Sequence, residues 1–390
     1  PSTHQFGGER YMVVFGDEAE NDPHIVDVLS ALDLTPEHED VRAVYNGTGF
    51  RGFTANMKAH CIDILNSRAD VHYVEKIQQV KTYAPSTRDG SPWGLQRISS
   101  ESAPAGNPMD LKYTYSFNGS NPGEGADIYI VDTGINTEHV AFEGRAKWGY
   151  NYPGSKPMDG DGHGSHCGGS AAANVFGVAS KANLIAVKVL DDTGSGPTDD
   201  VVAGIEYVID QHNARKQEPG FVGSVMSMSF GLTTRSNILE FAINRAIQAG
   251  VHPVIAAGNE GADSCKSSPA ALGGTQGDAI TVGSVNIGAD VSSFSNTGAC
   301  NDVYGPGETI VSTWIGGPNI INSLSGTSMA APHVAGLVAY AMTQKPELAG
   351  DVKAMKSFIA SSALPGLIRA TEDNQPLPGD AMLLVNNGVT

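Results

Sequence analysis

The segments Ile128-Tyr-Ile-Val-Asp132-Thr-Gly134, Asp161-Gly-His163-Gly-Ser-His166 and Ser325-Gly-Thr-Ser328-Met-Ala-Ala-Pro332-His333 decide the reading of this chain. Each sets one member of an Asp, His, Ser set beside glycine. A serine hydroxyl is a weak nucleophile at neutral pH. It needs a base within hydrogen-bond reach, and the base needs a carboxylate that fixes its tautomer and stabilises the imidazolium. The chain order Asp, His, Ser differs from the His, Asp, Ser of chymotrypsin-type enzymes. It also differs from the Ser, Asp, His of α/β-hydrolases, whose serine sits in a Gly-x-Ser-x-Gly elbow. Two residues after Ser328 stands Ala330, so that elbow is absent.

Around these segments, short apolar runs alternate with helical patterns. Ile128–Val131, Leu184–Val189, Val225–Ser229, Val254–Ala257 and Ala279–Val282 are buried-strand candidates, and Thr198–Asn213 and Asn237–Ala249 are helix candidates between them. The alternation predicts an α/β fold with a parallel sheet covered by helices on both faces. Ligands of such sheets bind at the carboxyl ends of strands, where Asp132 falls. Met329–Met342 reads as a further helix, with Ser328 at its start and Pro332 in its first turn, where unpaired N–H groups tolerate proline. Upstream, residues 11–15, 41–45, 50–56 and 71–77 read as strands and 23–32 and 58–67 as helices, with Asn46-Gly47 as a hairpin signal. This β-α-β-β-α-β order predicts a small ferredoxin-like α+β unit. The polar stretch Tyr83 to Pro92, with its Pro and Gly, reads as a linker.

At 390 residues the chain has room for one large domain and a smaller one. Its net charge of −18 and pI of about 4.9 argue against a nucleic-acid surface. No run approaches the roughly 20 apolar residues that span a bilayer, so no membrane partner is expected. The start at Pro1, with neither Met nor an apolar leader, suggests a signal peptide removed from, or left out of, this sequence. Asn46-Gly-Thr48 and Asn118-Gly-Ser120 are glycosylation sequons.

Taken singly, the site residues have blander readings. Ser328 can be a helix cap, Asp132 the start of an Asx-turn, and Asn259 in Val254-Ile-Ala-Ala-Gly-Asn259-Glu a turn residue. Asp132-Thr-Gly and Asp192-Thr193-Gly194 together also fit an aspartic-protease dyad. His163 and His166 form a His-x-x-His pair, but the Glu of a His-Glu-x-x-His metal motif is missing.

With all three motifs in this order, the chain resembles the subtilisin family, most closely its proteinase K branch with fungal vacuolar (cerevisin-like) and secreted relatives. The resemblance spans nearly the whole chain. It implies an inhibitory propeptide over residues 1–84, a cleavage linker over 85–92 and a subtilisin-like peptidase domain over 93–390. It further implies a serine endopeptidase of broad specificity with an apolar or aromatic P1 preference, made as a self-processing zymogen and acting as a monomer on polypeptides. Asp132, His163 and Ser328 would form the triad, and Asn259 would donate to the oxyanion. Gly194, Ser195 and Gly196, with Ser227, Met228, Ser229, Phe230 and Gly231, would flank the substrate as edge strands. No cofactor is expected for catalysis. Structural calcium would bind Asp302 and the main-chain carbonyls of Gly277 and Ala279. Cys265 and Cys300 would form a disulfide, which implies the secretory pathway, either secreted or vacuolar. Cys167 would stay free beneath the histidine, whereas Cys61 reads as a small buried residue. Relatives carry Thr at Ser165 and usually Ala at Gly168. The mature N-terminus is expected between Ala84 and Ser91, with cleavage after Tyr83 first.

Overall fold

The computed structural model describes residues 8–16, 23–47, 50–77 and 85–389. The chain divides into two compact units, Pro1–Thr82 and Tyr83–Thr390. In the first, β1 (Glu9–Phe15), α1 (Pro23–Ser30), β2 (Val41–Gly47), β3 (Phe50–Met57), α2 (Ala59–Asn66) and β4 (Val71–Lys76) follow the expected order. The strands form an antiparallel sheet in the order β2-β3-β1-β4. Val13, Phe15, Phe53 and Ala55 point inward and meet Ile25, Leu29 and Leu65 from the helices. Those inward side chains set the register, since a one-residue slip would expose them. The ladder runs on through Asn46↔Arg51 and Gly47↔Phe50, so Asn46-Gly47 lies in the strand and not at the turn.

In the second unit, β5 (Ser86–Ser91), α3 (Trp93–Arg97) and β6 (Tyr113–Phe117) come first. The stretch 85–92, expected as a linker, therefore contains a strand, paired with β6. Its polar composition misleads because it holds its place through Arg88, which donates to the Gly177 carbonyl at 2.8 Å and lies over the Tyr115 ring. Then follow β7 (Ala126–Asp132), β8 (Ala146–Asn151), α4 (His163–Ala172), β9 (Asn183–Lys188), α5 (Thr198–Arg215), β10 (Gly223–Met228), α6 (Asn237–Ala249), β11 (His252–Ala256) and β12 (Ile280–Val285). The chain closes with β13 (Val303–Pro306), β14 (Ile310–Thr313), β15 (Ile321–Leu324), α7 (Thr327–Gln344), α8 (Val352–Ser362), β16 (Leu364–Pro365) and β17 (Leu383–Leu384).

Nine strands form one sheet in the order β16-β17-β13-β12-β11-β10-β7-β9-β8, parallel except for the β16–β17 pair. Every residue of β7 is buried, as expected of a strand covered on both faces. Ile128 and Ile130 face the core around α4 and α7, while Tyr129 and Val131 face the core around α5 and α6. The strand thereby delivers Asp132 to the carboxyl edge of the sheet. Among the described residues no helix is long and apolar enough to cross a membrane.

Cys265 and Cys300 form a disulfide across 35 residues, with their Cα atoms 5.3 Å apart. Cross-linking a loop of this length stabilises by about 3–4 kcal/mol in the chain-entropy model. We expect the Cys265→Ser/Cys300→Ser double variant to lose stability on that scale in chemical denaturation. Non-reducing peptide maps of the native chain should contain the linked pair, with Cys167 and Cys61 alkylated.

Candidate active site

Asp132 is 1% exposed, and its two carboxylate oxygens lie 2.8 and 3.0 Å from His163 Nδ1. The Thr133 N–H donates to the same carboxylate at 2.7 Å. A buried carboxylate needs such donors. Its acceptance from Nδ1–H fixes the imidazole tautomer and leaves Nε2 free to take a proton. His163 opens α4, and the start of that helix is held by Asp159, a buried residue that no motif of the sequence marks. Asp159 accepts from Gly162 N at 2.8 Å, Ser165 N at 2.9 Å, Ser165 Oγ at 2.6 Å and Thr133 Oγ1 at 2.9 Å. One carboxylate thus ties the turn after Asp132 to the turn before His163. Ser165 supplies the hydroxyl this tie requires. The flanking glycines are required by space and conformation. Gly162 has φ +105°, and a Cβ on Gly164 would overlap the Gly134 carbonyl oxygen.

Burial opposes protonation of His163, but the Asp132 carboxylate against Nδ1 outweighs it and holds the imidazolium well above its ordinary value. His166 and His333 behave oppositely. Each bonds a main-chain carbonyl (Ile310 at 2.9 Å, Met329 at 2.8 Å), and burial lowers their pKa values to about 3 and about 4. His166 is therefore a structural residue and not half of a metal pair. Cys167 is buried and free, with Sγ 3.9 Å from His163 Nδ1. Asp132, His163 and Cys167 gather within 4.8 Å, but burial pushes the Cys167 thiol up, away from the thiolate a metal takes. Asp192 pairs with Lys188 at 2.8 Å while Asp132 pairs with His163, so the two Asp-Thr-Gly turns form no shared dyad.

Ser328 is the second residue of α7. Its Oγ donates to the Ser229 carbonyl at 3.0 Å, and its own carbonyl accepts from Ser229 Oγ at 2.9 Å and Cys167 Sγ at 3.3 Å. That carbonyl is free because of Pro332. The helix starts at Thr327, so Pro332 lies in the second turn and not in the first, as expected from sequence. Lacking an N–H, it cannot bond the carbonyl four residues back, which is that of Ser328. Asn259 Oδ1 accepts from Thr327 N at 2.8 Å and Thr327 Oγ1 at 3.0 Å. With its oxygen so engaged, the exposed amide turns Nδ2 outward beside the helix N-terminus, where the Ser328 N–H lacks an intrahelical partner. Thr327 thus orients the Asn259 amide, a contact with no signal of its own in the sequence.

A cavity of about 150 Å³ opens beside Ser328, lined among others by Phe230, Leu232, Ala256, Ala270, Asn259 and Glu260. The Glu260 carboxylate is held by Asn296 Nδ2 at 2.7 Å. Of the expected substrate-flanking residues, Ser229, Phe230 and Gly231 line this cavity, but Met228 and Ser227 do not. Both belong to β10, and Met228 is fully buried in the α5–α6 core. Strand alternation sends its side chain into the sheet interface, so it can serve a ligand only through its backbone. Gly194, Ser195 and Gly196 form an exposed loop. Ser195 folds back on Asp191, its N–H donating to Oδ1 at 3.1 Å and its carbonyl accepting from Asp191 N at 2.7 Å. Gly194 N likewise donates to the Asp191 carbonyl at 3.1 Å, so the loop closes on Asp191.

The expected calcium shell is assembled, but its centre is taken. Lys356 Nζ donates to the Gly274, Gly277 and Ala279 carbonyls at 2.7, 2.6 and 2.9 Å and lies 3.1 Å from Asp302 Oδ1. An ion and an ammonium cannot share that point, so the residues present do not fit calcium. The sequence reading failed here because Lys356 lies 54 positions beyond Asp302, on a helix with no motif.

The subtilase family model, peptidase S8, matches residues 123–385. A subtilisin-like serine protease of Cochliobolus lunatus is 42% identical, over 78% of this chain and 61% of its own length. Alkaline protease 2 of Aspergillus fumigatus is 44% identical over 76% of this chain and 59% of its own length. The chain therefore spans about three-fifths of these curated relatives. The crystal structure of a cold-adapted subtilisin-like serine proteinase superposes with a TM-score of 0.65 and 32% identity, covering 77% of this chain and 99% of that one.

His163 should titrate above pH 6.5 in histidine NMR spectra of the Ser328→Ala chain, while His166 and His333 stay neutral down to about pH 4. Asp132→Asn removes the charge that favours the imidazolium, so the His163 midpoint should move down. An unmoved midpoint would refute the pairing as its cause.

Proposed function

The chain belongs to the subtilase family, and from that premise we propose that it is a serine endopeptidase cleaving polypeptides through an acyl-enzyme. The observation that carries this reading is the Asp132–His163 pair standing beside Ser328, whose carbonyl and the His163 ring share contact with one sulfur, Cys167 Sγ. For attack, the Ser328 hydroxyl leaves the Ser229 carbonyl and turns to His163. Nε2 takes its proton as Oγ bonds the substrate carbonyl carbon, and Asp132 stabilises the imidazolium that forms. The Ser328 N–H and Asn259 Nδ2 receive the oxyanion. His163 then protonates the leaving amine, and water reverses the sequence on the acyl-enzyme. The nucleophile, base, carboxylate and oxyanion donors in these steps are all supplied by this chain.

We assign the cavity beside Ser328 to the P1 side chain, which is then apolar or aromatic by preference, with acidic side chains disfavoured by Glu260. The exposed Gly194–Gly196 loop and the Ser229–Gly231 segment would bind substrate backbone as added strands, a mode that makes little demand on sequence. The Cys265–Cys300 bridge favours an oxidising compartment of the secretory pathway.

Residues 1–84 we read as the inhibitory propeptide of a self-processing zymogen. The preferred cut, between Tyr83 and Ala84, lies outside the described residues. A cut within Ser86–Ser91 would strip a strand paired with β6, which favours Ala84 as the mature N-terminus over positions nearer Ser91.

Ser328→Ala should fold and lose peptide hydrolysis by several orders of magnitude, together with labelling by a fluorophosphonate. Labelling that persists in that variant would sink the assignment. Asn259→Ala should lower turnover more than substrate binding, by about 10²–10³, the size known for such a donor in subtilisin itself. A change confined to KM would remove Asn259 from the oxyanion site.

For the zymogen reading, purified residues 1–83 added to mature enzyme should slow hydrolysis, transiently if they are then digested. Absence of inhibition at any concentration, with unaided refolding of the mature part, would make residues 1–83 an ordinary domain.

A further inference from the structure

Three main-chain carbonyls and a carboxylate oxygen converge on Lys356 Nζ. Such an oxygen shell suits a hard cation, which would stand about 2.3–2.6 Å from each ligand if it were calcium. An ammonium offers three protons in place of coordination bonds, and its contacts of 2.6–3.1 Å to four oxygens have hydrogen-bond lengths. The remaining Asp302 oxygen accepts from Thr281 N at 2.9 Å and Gly274 N at 3.2 Å. Lys356 and Asp302 are 12% and 8% exposed at their side chains, so the pair is shielded from water and salt. The charges cancel: one carboxylate, one ammonium.

We infer that Lys356 is a built-in, tethered cation that closes this site to calcium and joins α8 to the Gly274–Ala279 loop and Asp302. A calcium ion would have to expel the ammonium and leave it tethered nearby as an unpaired charge. The tie also reaches the candidate active site. Thr281, whose N–H Asp302 accepts, donates through Oγ1 to the Ala270 carbonyl at 2.8 Å, and Ala270 lines the cavity beside Ser328. That wall is therefore held without a metal and is indifferent to chelators at this point. The inference does not depend on the catalytic reading.

The test uses the full chain carrying Ser328→Ala, so that it cannot digest itself. Calcium bound per chain is counted by equilibrium dialysis and elemental analysis, and thermal midpoints are measured in chelator and in millimolar calcium. The parent chain and its Asp302→Asn variant should bind equal numbers of ions. One ion more in the parent would place calcium at Asp302 and overturn the inference. Lys356→Ala should melt roughly 5–10 °C lower in chelator, because it leaves Asp302 buried and unpaired. It should also bind one ion more than the parent, a gain abolished by adding Asp302→Asn. An unchanged midpoint would show that the lysine ties nothing, and no gain of an ion would show that the shell is not a cation site. If either variant fails to fold, acetylation of Lys356 in the parent chain decides. Protection with and without calcium supports the inference, and reactivity that appears on adding calcium overturns it.

Discussion

The bond between His163 Nδ1 and the buried Asp132 carboxylate is the constraint around which the rest of the second unit is arranged. A carboxylate at 1% exposure must be surrounded by donors, and a histidine serves as base only if one nitrogen is kept bare. Both conditions are met by meshing two turns. Lys188 Nζ grips the Thr133 carbonyl at 2.6 Å, Thr133 Oγ1 accepts from Gly164 N at 2.9 Å, and Asp159 collects the amides on the other side. These are hydrogen bonds within a closed network, where loss of one member leaves its partners buried and unpaired. The precision of one imidazole thus rests on residues that never meet a substrate.

The serine arrives from a different direction and by a different device. All of α7 except Ser328, Thr343 and Gln344 is buried, so the helix is apolar around its whole circumference and is gripped on all sides. Its rigidity fixes Ser328. The helix pattern would normally spend the Ser328 carbonyl internally, and Pro332 prevents that. The freed oxygen bonds Ser229 and Cys167 instead, and the Ser328 hydroxyl bonds the Ser229 carbonyl in return. This reciprocal clasp joins the α7 terminus to the segment just beyond β10. A proline that costs the helix one internal bond thereby gains two anchoring contacts where placement matters most.

These two devices explain what was legible in the sequence. Asp132, His163 and Ser328 each sit in a short glycine-bearing segment, because close approach of backbones demands glycine on the spot, and that signal is local. Five adjacent strands of the sheet, β12, β11, β10, β7 and β9, were legible for a similar reason, whereas β8, β13, β16 and β17 at its two sides were not. Burial on both faces forces uninterrupted apolar runs, and Asn237–Ala249 was read to its bounds because its period is local and its caps, Ser236 and Gly250, flank it directly. Asp159, Thr327 and Lys356 were not legible. Each is a common polar residue whose importance comes from partners that only folding brings near. Met228 failed for a subtler reason: the motif containing it straddles a strand end, and alternation decides which side chains face outward. β5 was taken for a linker because an edge strand anchored by one arginine carries no apolar run.

A peptidase of broad specificity, as proposed, adds a constraint of its own, because any segment of its own chain that opens is a substrate. Cleavage of a transiently open state follows the population of that state when reclosure is fast. The stretch from Cys265 to Asp302 contains the turn around Ala270 that walls the candidate P1 cavity, so opening there would undo the cavity. It is tied at both ends of its loop. The disulfide joins Cys265 to Cys300, and two residues on, Asp302 meets Lys356. Both ties are carried by the chain itself. A bound ion is lost at a rate set by its own affinity, and its protection falls with the ion concentration outside. An ammonium on a four-carbon stem cannot diffuse away, so the protection it gives does not vary with the medium. Exchanging a dissociable cation for a tethered one converts a conditional stability into a fixed one.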